Sequence, residues 1–337
     1  MARLFQSSIP AGSRHIGVPR LDLRNRHANL TRIVSLALTV LVGLGVAARP
    51  GRASQEASLA DILERAGKYV RQFERDFAMV ISDEHYGQDH YPSGGGGRML
   101  LGYSGAHIRR ETRSEMLFVR GEGELSWLAV RNVLMVKDPT PSDSLWKPVP
   151  DSKDRLDRAL RDTSPGQASR LHTLADEGAR FNLGRRISRN FNMAPLALQF
   201  LGFEFQPRFA FTIAGREDVA GSPTAKLAFT ERQSPTLIGF KNQELPLAGE
   251  LWVREADGAV VRTHLTLSTP QTDKGADIKV SIRVDYRREA TLEMMWVPSR
   301  MEERYVENRL SGELIKCTAT YSNYRRFETS GRLVIPQ

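Results

Sequence analysis

From Arg208 to the end of the chain, apolar and polar positions alternate with a period of two. Phe209, Phe211 and Ile213 interleave with Arg208, Ala210 and Thr212, and Leu227 and Phe229 with Lys226, Ala228 and Thr230. Ile278, Val280, Ile282, Val284 and Tyr286 face one way; Lys279, Ser281, Arg283 and Asp285 face the other. Successive side chains of a strand lie on opposite faces, so these runs predict strands with one buried and one wet face, as in antiparallel sheets. Leu251 and Val253 lead to Asp257-Gly258, a tight-hairpin signal, and Val261, Thr263, Leu265 and Leu267 return from it. Runs at 301–307 and 315–324 complete this part of the pattern.

The first half of the chain reads differently. Leu59, Ile62, Leu63, Ala66, Val70, Phe73 and Phe77 recur at helical spacing behind a capping-box pair, Ser58 and Asp61. A strand is expected from about residue 79, and more at 108–113, 115–120 and 127–136. Between them Ser93-Gly94-Gly95-Gly96-Gly97 reads as a loop without the Lys-Ser/Thr ending of a phosphate loop. Residues 138–150 are rich in Pro, Ser and Asp and read as a second loop. Residues 153–203 look helical. Ser164, Pro165 and Gln167 suggest a capped start, Leu171, Leu174, Ala175, Gly178 and Phe181 a stripe, and Asn182 and Gly184 a stop; Pro195 opens a short helix through Leu196, Phe200 and Leu201. The expected fold is α+β: one large curved antiparallel sheet of about ten strands, covered by an N-terminal helix and a helical insertion at 153–203.

One long apolar run, residues 33–48, follows Arg32 and leads to Gly51-Arg52-Ala53. A basic flank, an apolar stretch shorter than a membrane span and small residues at a cleavage point make a general secretory signal, cleaved or retained as an anchor. The expected division is therefore a signal with upstream extension, 1–53, and a single β-rich domain, 54–337, in the periplasm or secreted. This changes the charge picture. Of the formal +9, +7 belongs to residues 1–53, where eight arginines face Asp22 alone, leaving +2 for the rest. No nucleic-acid field remains. Cys317 is the single cysteine, so no internal disulfide can form and the fold must rest on its core.

Candidate chemistry is sparse, and neither catalytic residues nor a cofactor are assigned. His85 and His90 lie in DEHYGQDHY with Asp83, Glu84 and Asp89, the densest group of possible metal ligands. They lack a third histidine nearby, so no metal is assigned, and a hydrolase using this region stands as an alternative function. Cys317 falls on the inward phase between Ile315 and Ala319 and reads as a buried thiol. Glu302-Glu303 and Asp83-Glu84 are strand neighbours that point to opposite faces, so neither is an acid–base pair. Phe209, Phe211, Phe229, Leu251, Val253, Ile282, Val284 and Trp296 crowd one region as an ordinary core or as the lining of an apolar cavity. Tyr321, Tyr324, Arg325 and Arg326 make an aromatic–arginine strip that either engages an envelope protein or stacks within a last strand.

The opening helix running into a strand, the hairpin GELWVREADGAVVRTHLTL at 249–267, and the alternating pair at 277–287 and 296–305 resemble the lipoprotein-carrier superfamily of the LolA, LolB and RseB type. The closing Tyr-Ser-Asn-Tyr-Arg-Arg-Phe segment, 321–327, is similar to that of exported proteins of soil bacteria, a likeness that brings no activity. The carrier resemblance implies a curved sheet wrapped around helices, and a lipid or lipoprotein acyl chain as ligand. An envelope scaffold without ligand is the alternative that the residues leave open.

Overall fold

The computed structural model describes residues 56–78, 80–92, 107–120, 127–138, 145–162, 164, 166–184, 193–240, 243–268, 278–307 and 313–327. The expected export segment and the Gly-rich loop at 93–97 lie outside them.

Helix α1 (Leu59–Phe77) forms as its pattern predicts. The Ser58 hydroxyl accepts from the Asp61 amide at 3.2 Å, and the Asp61 carboxylate accepts from the Ser58 amide at 3.2 Å, so two orphan donors of the first turn are satisfied reciprocally. Its buried face carries Ile62, Ala66, Val70, Phe73 and Phe77. Each large apolar side chain so placed contributes roughly 1.5–3 kcal/mol.

The strands are β1 (Val80–Pro92), β2 (Ile108–Arg120), β3 (Trp127–Lys137), β4 (Lys147–Pro148), β5 (Phe209–Val219), β6 (Ser222–Glu231), β7 (Gly239–Phe240), β8 (Gln243–Glu244), β9 (Leu247–Arg254), β10 (Val260–Ser268), β11 (Ile278–Glu289), β12 (Met295–Glu307) and β13 (Glu313–Arg326). All but β7 and β8, which pair with each other, join one curved sheet in the order β4-β3-β2-β1-β13-β12-β11-β10-β9-β6-β5. Every neighbouring pair is antiparallel. Register carries a single row of inward positions across it: Tyr86, Ala319, Met301, Val284, Thr263, Leu251, Leu227 and Ile213. This is the helix face, where α1 packs in the main core. The next row, Thr318, Glu302, Arg283, His264, Glu250 and Ala228, lies on the opposite face.

The helical insertion divides its work between the two faces. Helices α2 (Ser152–Arg161) and α3 (Gln167–Ala179) do not join α1. Leu156, Ala159, Leu160, Leu171 and Leu174 form a second core with Ile81, Leu117, Val119 and Val130, which point away from the helix face. The later part, a 3-10 segment at Leu196–Leu201, is fully buried in the main core. Opposite α1, therefore, the described residues cover the sheet over β1–β3 and leave it bare over β9–β13. We call the bare part the open face.

Three local expectations are corrected. The runs 108–113 and 115–120 are one strand, β2: its alternation continues through Ser114, with polar Thr112 and Ser114 on the buried phase, and the register shift opposite Arg113/Ser114 is an extra residue on β3. The Ser164–Gln167 box does not form: α3 is preceded by Gly166 with no side-chain cap, and Ser164 accepts the Gln167 amide through its backbone carbonyl. The short helix after Pro195 is 3-10, not α.

Candidate binding surfaces

The apolar residues singled out from the sequence do come together. Phe209, Phe229, Leu251, Val253, Ile282, Val284 and Trp296 are all buried in the main core, and Phe211 packs against it half-buried. Their contacts are close. The Phe200 ring from the 3-10 segment stacks on Phe209 with centroids 4.6 Å apart, and Phe229 meets Phe209 edge-on at 5.7 Å. The segment is tied down around this contact: the Tyr286 hydroxyl donates to the Ala194 carbonyl at 3.0 Å, and Gln206 to the Leu63 carbonyl at 2.9 Å. Within it Gln199 is 2% exposed, yet among the described residues neither its amide nitrogen nor its oxygen has a partner.

The open face presents a groove of about 530 Å³ lined by Glu250, Trp252, Arg262, His264, Ser281, Arg283, Glu302, Arg304, Lys316 and Thr318, with Glu303 and Cys317 at its floor. None of the eight apolar residues lines it, nor do they line the cleft between α2 and α3 at Arg155, Asp162, Arg170 and Glu177. The Trp252 ring sits between the cations of Lys226 and Arg262, at 5.7 and 5.6 Å, and its indole N–H donates to Glu217 at 2.6 Å. Much of the charge is internally paired: Lys226 with Glu250 at 3.2 Å, Arg262 with Asp285 at 2.5 Å, Arg300 with Glu302 at 2.9 Å. His264 shares a hydrogen bond with Ser281 at 2.9 Å. Burial, helped by Arg283 and opposed by Glu250, holds its imidazole below the usual histidine value.

Sequence reasoning passed over this groove because it sought chemistry on the inward phase. The signal was in the outward phase of the same runs. Lys226, Trp252, Arg262, Asp285 and Arg300 form one register row, and an exposed-phase tryptophan among cations is not what a merely solvated face needs.

The remaining candidates separate. His85 stands in the middle of β1 and His90 near its end, on opposite faces. His85 meets Glu111 at 3.2 Å and His90 meets Glu313 at 2.7 Å. Among the described residues no group of three or more His, Cys, Asp or Glu is placed to share a metal ion. Cys317 is buried between Ile315 and Ala319. Glu302 is half exposed while Glu303 is buried, as their neighbouring strand positions require. Tyr321 and Tyr324 turn into the main core, where burial pushes both phenols well up. Arg325 stays outside, on Asp83 at 2.8 Å and Glu115 at 2.7 Å, and Arg326 donates to the Asp76 carbonyl at 2.8 Å. Arg325 thus lies on the face opposite the two tyrosines, while Arg326 reaches back to the end of α1, so the four residues form no single strip.

One buried charge pair was not foreseen. Glu84 on β1 takes a bidentate contact from Arg131 on β3, at 2.6 and 2.9 Å, with Arg131 lying 4.5 Å from the Tyr86 ring. Burial disfavours the cation, but the Glu84 carboxylate outweighs it and raises the guanidinium pKa further. Among the described residues the hydroxyls of Thr112 and Ser114 beside this pair are buried without partners.

Among the described residues no helix is long and apolar enough to cross a membrane. No protein-family model matches the chain, and no curated protein does. Among solved structures the chain is similar to a DUF1329 family protein from Desulfovibrio piger, with 13% identity and a TM-score of 0.31 over 79% of this chain and 93% of that one. It is similar to lipovitellin, in a structure concerned with lipid–protein interactions, with 10% identity and a TM-score of 0.27; 76% of this chain is covered but only 26% of that one. MucB in complex with MucA(peri) is the third, with 9% identity, a TM-score of 0.19, and 79% and 94% of the two chains covered.

Proposed function

We propose that the protein is an exported, non-catalytic binding module that holds its ligand or partner on the open face of β9–β13. The observation that carries this reading is the groove itself: about 530 Å³, with Trp252 set between two cations on an otherwise polar sheet surface. The ring is 7% exposed, so it gives the groove an apolar base while its neighbours supply directional polar contacts. Reaction chemistry has less support. The buried thiol of Cys317 has no base assigned to it, His85 and His90 are spoken for by carboxylates on opposite faces, and the groove's carboxylates are bound to cations.

A second reading, brought by the carrier resemblance, is that an apolar chain lodges between sheet and helices. There the residues are close-packed, so a ligand would have to displace Leu196–Leu201. Gln199 favours this reading: a buried amide without partners among the described residues costs roughly 1–3 kcal/mol, which lowers the cost of displacing this stretch.

Thermal melting with a panel of palmitate, a neutral dextran and an anionic polymer, on wild type and Trp252→Ala, separates the two. A stabilisation lost in Trp252→Ala supports the open-face module. A palmitate shift that survives Trp252→Ala but disappears in Gln199→Leu, which fills the cover with an apolar side chain, supports the second reading and overturns the first. No shift with any probe overturns both.

A further inference from the structure

Cations on the open face outnumber the carboxylates available to them, and the excess is concentrated. Arg304 on β12 and Lys316 on β13 are direct register partners on the open face. Like charges directly opposite each other across a ladder destabilise it. Asp89, the register partner of Lys316 on β1, is drawn instead to His107 at 2.6 Å and Arg109 at 3.1 Å. Among the described residues Arg304 is exposed and has no carboxylate or hydrogen-bond partner, and Lys316 has only the Tyr91 ring, 5.5 Å from its Nζ. Arg283 is diagonal to Arg304 through the pairs Ser281–Arg304 and Arg283–Glu302. It reaches Asp285 only at 3.6 Å, and its Nε is buried without a partner.

The acids that might neutralise this trio are engaged elsewhere. Glu302 lies on Arg300, Glu250 on Lys226, and Asp285 on Arg262. Glu303, although it follows Glu302, points to the helix face, where the Tyr305 hydroxyl donates to it. His264 stays neutral more readily than an exposed histidine, so it adds little to the excess. The hydroxyls of Ser281 and Thr318 border the same space.

We propose that Arg283, Arg304 and Lys316 form an oxyanion site, which takes a phosphate or sulfate group carried by the ligand. The proposal rests on the open-face reading above and names its ligand class. A planar guanidinium donates in pairs to tetrahedral oxyanions, and an ammonium adds a mobile point charge. A doubly charged group matches three converging cations better than a single carboxylate does. The groove is larger than an oxyanion needs, so the rest of the ligand extends toward Trp252.

The test is calorimetric titration of the full chain with inorganic pyrophosphate at constant ionic strength. Phosphate and sulfate follow as smaller probes, and chloride is the reference. Saturable pyrophosphate binding is expected, weakened roughly tenfold or more in Arg304→Gln/Lys316→Gln and unchanged in Arg325→Gln, whose guanidinium belongs to the Asp83–Glu115 cluster. The double variant removes a like-charge contact, so its ligand-free melting temperature is expected to equal or exceed that of wild type; this distinguishes lost binding from lost folding. Absence of saturable binding, or an equal loss in Arg325→Gln, overturns the site. Should dextran bind in a Trp252-dependent manner while pyrophosphate does not bind, the oxyanion site falls and the open-face module stands. If no probe depends on Trp252, Arg304 or Lys316, both fall.

Discussion

Glu84 and Arg131 put opposite charges into a corner where Glu84 is fully buried and Arg131 nearly so, and the consequences of breaking them differ from those of replacing them. Removing one partner leaves a bare charge in a low-dielectric site. Arg131→Met is therefore expected to destabilise the protein by about 3–5 kcal/mol, whereas Glu84→Leu/Arg131→Met restores most of that loss. Urea titration of both variants checks this, and a double variant no more stable than the single one would show that the pair is not what holds the corner. Half of this pair was legible. Adjacent strand positions face opposite ways, so one of Asp83 and Glu84 had to point inward and need a partner. The partner was not legible, because no local pattern links β1 to an arginine 47 positions further on. His264 gives a pH-dependent test at the same scale. Its folded-state pKa lies below the unfolded value of 6.5, so the folded protein resists a proton that the unfolded chain accepts. Stability is then unaffected by this group above that value and falls as the pH drops through it. Replacing His264 with Gln is expected to flatten the decline in melting temperature between about pH 7 and about pH 5. An unchanged decline would assign the acid sensitivity to other groups.

Elements lock to one another at places where the chain has no room for a side chain. Gly258, in the hairpin between β9 and β10, has φ +74, and a Cβ there would stand 2.4 Å from the Arg65 carbonyl oxygen of α1. The Asp257-Gly258 turn thus joins the hairpin and also seats the helix. Nearby, Glu255 receives Arg216 at 2.6 Å and the Ala57 amide at 3.4 Å. Gly258→Ala is expected to cost about 2 kcal/mol or more, since it combines a left-handed backbone penalty with overpacking. Ser58→Ala, which removes only the cap of α1, is expected to cost about 1 kcal/mol. Chemical denaturation that ranks the two the other way round would mean that α1 rests on its cap more than on its seat. The turn and the capped helix were both readable from short-range chemistry, Asp-Gly in one and Ser-x-x-Asp in the other. The continuity of β2 was not. Thr112 and Ser114 occupy the buried phase ahead of Met116 and Phe118, and a hydrophobic period count reads two polar residues on that phase as an end.

Across the molecule the legible and the hidden parts divide by sequence distance. Alternation in β5, β6 and β9–β13 announced a sheet with one apolar face, and the main core confirms which face it is. Strand order was beyond it: β1 lies beside β13, pairing Val80–Pro92 with Glu313–Arg326, and only the folded chain brings those ends together. The same limit hid the position of α2 and α3. Their apolar stripes had to dock, but the alternation of β1–β3, where Ile81, Leu117, Val119 and Val130 are apolar on the outward phase, was needed to say that they dock opposite α1. The result is two cores of very unequal size, with the sheet of β1–β3 between them. A helix pair held by a few leucines should open on its own more cheaply than the sheet does, because local opening free energies follow the apolar contact that each unit would lose. Hydrogen exchange is accordingly expected to reach the amides of α2 and α3 well before those of β11 and β12. Leu160, 2% exposed in the small core, sharpens the test. Leu160→Ala removes about 2–5 kcal/mol of packing from that core alone, so protection should fall in α2 and α3 and remain in β11 and β12. If both regions lose protection together, the two cores are one cooperative unit, and the helices belong to the same fold as the sheet they cover.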